Sequence, residues 1–139
     1  MKKTILITGA STGIGKLTAQ YFAEQGWNIA ATMRTVAKGA DLLKFPNLKV
    51  YRLDVMEEES INLAINEAIA DFGGIDVVFN NAGFALVGAF EAMSQEQIKK
   101  QFETNVFGVM NVTKAILPYF RGKKNGTIIR RRTIFSRLR

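Results

Sequence analysis

Hydrophobic residues along this chain follow two rhythms. Short β-branched runs at residues 4–8, 28–32, 49–53, 75–80 and 127–129 are too uniformly apolar to alternate between a core face and a solvent face. Runs of that kind predict strands covered on both sides, as in a parallel sheet. Between them, residues 15–25, 57–72 and 94–120 carry apolar positions at three- and four-residue spacing. Over 57–72 the apolar face is formed by Ile61, Ala64, Ile65, Ala68, Ile69 and Phe72, which predicts an amphipathic helix. Asp54 stands three residues before Glu57, and Ser94 three before Gln97, both with the spacing of a capping box. Strands alternating with helices, joined by right-handed crossovers, make an α/β fold: a doubly wound parallel sheet of Rossmann type in three layers.

The 139 residues suit a single domain, since domains usually run to roughly 100–200 residues. Apolar runs are short: the stretch 5–7 stops at Thr8-Gly9, too soon for a signal peptide. The richest stretch, 77–90, contains Asn80, Asn81, Gly83 and Gly88, so no membrane span is expected and the cytoplasm is the default location. The chain has no Cys and no His. That removes thiolate nucleophiles, Cys- or His-ligated metals and imidazole relays, and no metal site is expected. Chemistry is left to Tyr, Lys, Ser, carboxylates or a bound cofactor. A formal charge of +7 invites a nucleic-acid reading, but five arginines (Arg130, Arg131, Arg132, Arg137 and Arg139) lie in the last ten residues with no acid among them. The body, 1–129, is nearly neutral.

Directly after the first strand comes Thr8-Gly9-Ala10-Ser11-Thr12-Gly13-Ile14-Gly15, leading into a helix. Glycines serve a phosphate loop in two ways: they adopt backbone angles closed to other residues, and they let the main chain approach a pyrophosphate. The exposed amides and the helix dipole favour the anion. The loop is not a P-loop, because Ala10 stands five positions before Gly15 and Leu17 replaces the hydroxyl after Lys16. It also departs from Gly-x-Gly-x-x-Gly, having Gly-x-x-x-Gly-x-Gly instead. A tight strand–helix turn without a ligand is the alternative for this motif taken alone.

The loop resembles the cofactor loop of the short-chain dehydrogenases/reductases, and four further segments match that family in order. They are Leu53-Asp54-Val55, Asn80-Asn81-Ala82-Gly83, Thr104-Asn105-Val106 and Asn125-Gly126-Thr127-Ile128-Ile129. The resemblance implies a dinucleotide-binding domain over 1–129. It implies that Gly9, Ser11, Thr12, Gly13, Ile14 and Gly15 hold the cofactor, that the Asp54 carboxylate takes the adenine amino group, and that Val55 packs beside the ring. Asp54 has a second reading as a helix cap. Asn80 and Asn81 can tie strands together or face the ribose and nicotinamide, and the resemblance implies both, with Ala82 and Gly83 close to the ligand. Asn105 occupies the family's proton-relay position, where an Asn holds a water; the alternative is a structural amide with satisfied partners.

Cofactor preference is read from the end of the second strand. An acid there hydrogen-bonds the ribose of NAD, and a basic residue accommodates the 2′-phosphate of NADP. Residues 31–35 contain Arg34 and no acid, so NADP is preferred over NAD.

The family reaction moves a hydride between the nicotinamide and a carbonyl or alcohol. It uses a Ser beyond the fifth strand and a later Tyr-x-x-x-Lys, in which the cation lowers the phenol pKa. After Ile129 the chain instead reads Arg130-Arg131-Arg132-Thr133-Ile134-Phe135-Ser136-Arg137-Leu138-Arg139. This is a basic tail, 130–139, outside the family pattern, with Ser136 lacking the family context. The expectation is a shifted frame or artificial junction near 130, a sheet incomplete on its C-terminal side, and no catalysis by this chain alone. Tyr119 and Lys123 match Tyr-x-x-x-Lys but precede the fifth strand, and Gly122 is expected to break the helix that would align them. The resemblance implies that the face of 94–120 packs a partner subunit, and the apolar positions near Phe102, Val106, Val109, Val112 and Ala115 leave a homo-oligomer through that segment open.

The leading function is therefore an NADP-dependent oxidoreductase half acting with a small carbonyl or alcohol substrate. A non-catalytic dinucleotide-binding or partner subunit is the alternative. Nucleic-acid binding by the Arg tail ranks last, since the tail has one aromatic, Phe135, and no groove-reading motif.

Overall fold

The structure, a computed structural model, describes residues 2–131. Five strands form one parallel sheet in the order β3-β2-β1-β4-β5. They are β1 (Thr4–Ile7), β2 (Asn28–Met33), β3 (Leu48–Arg52), β4 (Val77–Asn80) and β5 (Thr127–Arg130). Four α-helices connect them: α1 (Gly13–Glu24), α2 (Glu58–Phe72), α3 (Gln95–Phe102) and α4 (Gly108–Lys123).

Alternate residues of the central strand feed two cores. Leu6 points into one with Tyr51, Ile61, Ile65, Val78, Val112, Ile116 and Phe120, beneath α2 and α4. Ile5 and Ile7 point into the other with Ala19, Ala23, Ile29, Met33 and Leu42, beneath α1 and a 3-10 helix at Val36–Lys44. The period-2 pleat sends neighbours to opposite faces, so a strand buried on both faces must be apolar throughout. All four residues of β1 are buried. From β1 the chain winds outward to β2 and β3, then returns across β1 to β4 and β5. The carboxyl ends of β1 and β4 therefore flank the point where the winding reverses, which is where an open α/β sheet opens a crevice.

The 3-10 helix is not predicted from the sequence. It docks by burying only Gly39 and Leu42 and leaves its larger apolar residues Val36 and Leu43 exposed, so apolar spacing does not mark its buried side. Lys16 on α1 pairs with its Asp41 at 2.6 Å.

Of the two expected capping boxes, one forms. Ser94 Oγ accepts the Gln97 N–H at 3.1 Å, and Gln97 Oε1 accepts the Ser94 N–H at 2.9 Å. At the start of α2 the box is absent, because other partners take both side chains. Arg52 holds the Glu57 carboxylate at 2.8 Å, while Asp54 Oδ1 accepts the N–H of Met56 at 2.9 Å. Ser60 Oγ accepts the Asp54 N–H at 2.9 Å and does the bridging instead.

The helix expected over 94–120 is divided by a π-helical turn at Glu103–Phe107, and it continues past Gly122 to Lys123. The expected apolar face divides with it. Val112 lies in the core and Ala115 packs against it, whereas Phe102, Val106, Phe107 and Met110 are exposed.

β5 pairs with β4 from Val77↔Thr127 to Asn80↔Arg130. The rest of the basic tail, 132–139 with Ser136, lies outside the described residues. Among the described residues, no helix is long and apolar enough to cross a membrane.

Candidate dinucleotide crevice

Thr8, at the end of β1, binds the two central strands together at their carboxyl ends. Its buried hydroxyl accepts the N–H groups of Asn81 at 3.0 Å and Ala82 at 2.9 Å. That contact brings the glycine loop against the residues after β4, and the loop's glycines answer to different demands. Gly9 has φ +67° and lies so close that a Cβ would come within 2.8 Å of Ala82 Cα. Gly13 has φ +56° but faces open space. Gly15 is required by contact alone, since a Cβ there would run into Asn81 Nδ2 and the Gly9 carbonyl.

Helix α1 starts at Gly13 with no side-chain cap from Thr12 and no acid in its first turn. Its first amides lack intrahelical acceptors and carry the positive end of the dipole. They open onto a crevice of about 660 Å3. Of the residues singled out above, Gly9, Ser11, Thr12, Gly13, Ile14, Arg34, Asp54, Val55, Asn81, Ala82 and Gly83 line it. Gly15, Asn80 and Asn105 do not.

Each of these three has a structural partner instead. Gly15 packs on Asn81 and Gly9. Asn80 is buried at the end of β4, its Nδ2 3.4 Å from Thr113 Oγ1, and its Oδ1 has no partner among the described residues. Asn105, placed in the π-helical turn, engages one residue with both ends of its amide: Oδ1 accepts the Phe84 N–H at 3.0 Å and Nδ2 donates one N–H to the Phe84 carbonyl at 2.7 Å. A side chain engaged on both sides in this way is a clamp on the 83–84 segment, and Gly83 is small because a Cβ would come within 2.7 Å of Asn105 Oδ1.

The crevice also recruits Met33, Leu53, Met56, Phe84, Lys100, Glu103, Thr104 and Arg131. Met33 and Leu53 adjoin Arg34 and Asp54, and Thr104 adjoins Asn105, so proximity in sequence could have marked them. Lys100 carries no such mark, and Arg131 is hidden by its place in the basic tail. Among the described residues Arg34 has no ion-pair partner. Asp54 keeps one carboxylate oxygen outside its bond to Met56.

Tyr119 and Lys123 do share a helix face, contrary to the expectation that Gly122 would separate them, because α4 absorbs the glycine near its end. Lys123 Nζ lies 5.7 Å from the centre of the Tyr119 ring. The pair nonetheless sits at the wrong end of the sheet for the crevice. Lys123 Nζ donates to the Ile75 carbonyl and Asp76 Oδ1, both at 2.7 Å, and Tyr119 Oη accepts the Ile75 N–H at 3.3 Å. These residues precede β4, whereas the crevice follows it. Burial pushes the Asp76 carboxyl up, but the Lys123 hydrogen bond, the Thr4 N–H and the Lys123 charge outweigh it and hold the group below the usual carboxylate range.

Comparison with known proteins agrees with this architecture. A family model described as short chain dehydrogenase matches residues 3–134. A 3-ketodihydrosphingosine reductase from Bacteroides thetaiotaomicron is 40% identical over 125 residues, covering 90% of this chain and 45% of that protein. Retinol dehydrogenase 8 from Bos taurus is 35% identical, covering 91% and 43%. Among solved structures, a short-chain dehydrogenase from Streptomyces avermitilis superposes with a TM-score of 0.85 at 33% identity, over 94% of this chain and 49% of that one. ElxO with NADP bound does so with a TM-score of 0.85 at 32% identity, over 94% and 55%. The chain thus spans about half the length of the curated relatives it matches. From glycine loop to fifth strand, the chain belongs to the short-chain dehydrogenase family.

Proposed function

We propose that the crevice binds NADP, and that this chain is the dinucleotide-binding half of an oxidoreductase acting on a small carbonyl or alcohol. The observation carrying the reading is the uncapped start of α1, cradled by Gly9 and Gly13 and opening into a crevice whose β2 end presents Arg34 without an acid over 31–35. The residues fit the group: amides without acceptors suit a pyrophosphate, and a guanidinium suits a 2′-phosphate. The solved ElxO structure with NADP bound adds support for a phosphorylated cofactor.

The amides of the glycine loop and first turn, including Ser11, Thr12 and Ile14, hold the pyrophosphate. Arg34 pairs with the 2′-phosphate. The outer oxygen of Asp54 accepts the adenine amino group, with Val55 against the ring. Asn81, Ala82 and Gly83 form the wall on the ribose and nicotinamide side, and Asn105 steadies that wall through Phe84. When bound, the nicotinamide supplies or accepts the hydride. Among the described residues the crevice wall carries no Tyr, so the function proposed for them is binding, and carbonyl chemistry needs a proton donor in addition. The exposed Phe102, Val106, Phe107 and Met110 support association of copies through 94–120.

Calorimetric titration with NADPH and NADH tests the reading. NADPH should bind about tenfold or more tighter, equivalent to about 1.4 kcal/mol, and Arg34→Gln should abolish the difference. Failure to bind either dinucleotide would overturn the reading, and equal affinity would overturn the role of Arg34.

A further inference from the structure

Arg131 enters the crevice from the end of β5, where it is anchored twice. Its N–H donates to the Asn80 carbonyl at 3.1 Å, and its Nη1 donates to Asn81 Oδ1 at 3.4 Å. The second contact fixes more than Arg131. Asn81 is buried, and its Nδ2 donates to the Thr8 and Gly9 carbonyls, each at 3.1 Å. Two carbonyl acceptors settle which end of the amide faces the glycine loop, and its oxygen is thereby turned towards Arg131. One buried side chain therefore spans the guanidinium and the glycine loop. Of the five N–H donors on the guanidinium, only the one to Asn81 has a partner among the described residues. Arg131 lines the same crevice as Gly13 and Ile14 at the uncapped start of α1, so its remaining donors are within the space that an anion held there would occupy.

We propose that Arg131 is an anion-binding residue of the crevice, donating to the pyrophosphate that the glycine loop holds from the other side. The ligand class is a nucleoside diphosphate or a dinucleotide. The inference rests on the dinucleotide reading and extends it. Backbone amides and a helix dipole supply partial charges, whereas Arg131 supplies a full one with planar donors matched to phosphate oxygens. Arg34 lies just after β2 and Arg131 just after β5, with β1 and β4 between them, so the two cations address different ends of a bound dinucleotide.

The test uses calorimetry on the full chain with Arg131→Gln and Arg131→Lys, titrating NADPH, ADP and adenosine 2′-monophosphate. Arg131→Gln should weaken NADPH and ADP about tenfold, and Arg131→Lys should recover part of that loss. Adenosine 2′-monophosphate, which has no 5′-phosphates, should bind Arg131→Gln as it binds the unaltered chain. Arg34→Gln should show the reverse pattern, weakening the 2′-phosphate ligand and sparing ADP. The ratio of ADP to adenosine 2′-monophosphate affinity within each variant is the readout, because a general loss of folding weakens both. If Arg131→Gln leaves that ratio unchanged while the unaltered chain binds ADP, the role of Arg131 is refuted and the dinucleotide reading survives. If the unaltered chain binds none of the three ligands, both are refuted.

Discussion

Asn105 holds Phe84 by both sides of one residue's main chain, accepting its N–H at 3.0 Å and donating to its carbonyl at 2.7 Å. The two residues are 21 positions apart, and the contact joins the π-helical turn to the crevice wall. An amide is the one side chain of this size that offers a donor and an acceptor in that arrangement. Asn105→Asp keeps the acceptor but sets a second oxygen against the Phe84 carbonyl. Asn105→Ala leaves both main-chain groups without a side-chain partner. Because these bonds are exposed, each variant should lose only about 0.5–1.5 kcal/mol of stability in urea unfolding, with Asp at least as damaging as Ala at neutral pH. NADPH should bind several-fold more weakly to both. Full stability in Asn105→Ala would show that the clamp contributes nothing.

The Tyr119 and Lys123 pair makes the opposite prediction. Lys123→Met keeps the aliphatic stem but removes donors from the Ile75 carbonyl and from Asp76. It should cost about 1–2 kcal/mol, by leaving part-buried acceptors unpaired. NADPH affinity should stay unchanged, because the contact lies at the amino ends of the strands. The acid limb supplies a second signature. The pKa of Asp76 is depressed in the folded chain, so its stabilisation is present above the ordinary carboxylate range and lost as pH falls through the folded value. The gap in stability between the original chain and Lys123→Met should therefore narrow with acidification. A gap that widened, or a clear drop in NADPH affinity, would contradict this assignment.

The glycines of the loop should separate by cause. Gly15→Ala drives a methyl into Asn81 Nδ2 and the Gly9 carbonyl, and main chain cannot move aside without disturbing Thr8. It should cost about 1–3 kcal/mol or more, as overpacking does, and weaken NADPH strongly. Gly13→Ala meets no atom, only an unfavourable φ of +56°, so about 1 kcal/mol is expected, with the smaller loss of binding. Comparing thermal unfolding and NADPH titration of the two variants checks the order.

Strands and helices of this fold are legible in sequence where burial repeats. Ile5, Leu6 and Ile7 have to be apolar because they fill two cores at once, and Ile61, Ala64, Ile65 and Ala68 mark the buried stripe of α2. The 3-10 helix is not legible, because it settles on Gly39 and Leu42 while Val36 and Leu43, its more conspicuous apolar residues, stay exposed. The glycine loop, Arg34 and Asp54 can be placed beforehand because each follows a strand end. The partners of Asn105 and Asn81 cannot, since both bond main-chain atoms brought near by tertiary packing rather than by spacing. Arg131 is masked by its neighbours: five arginines in ten residues look like a tail, and only pairing of β5 with β4 shows that this one reaches the crevice.

The wide turn at Glu103–Phe107 sets the phase between two helical stretches with separate tasks. Downstream, Gly108, Val112, Ile116 and Phe120 keep a strict four-residue step into the core. Upstream, α3 buries nothing and instead presents Lys100 to the crevice, next to Glu103 at the start of the turn. Winding the same five residues as an ordinary α-helix would tighten the turn and rotate everything upstream by roughly 90° around the axis. The core would remain filled while Lys100 swung off the crevice wall. The ligand surface and the hydrophobic interior are thus kept in phase along one helical segment by the width of a single turn, which takes up the extra residue that would otherwise turn one of them away.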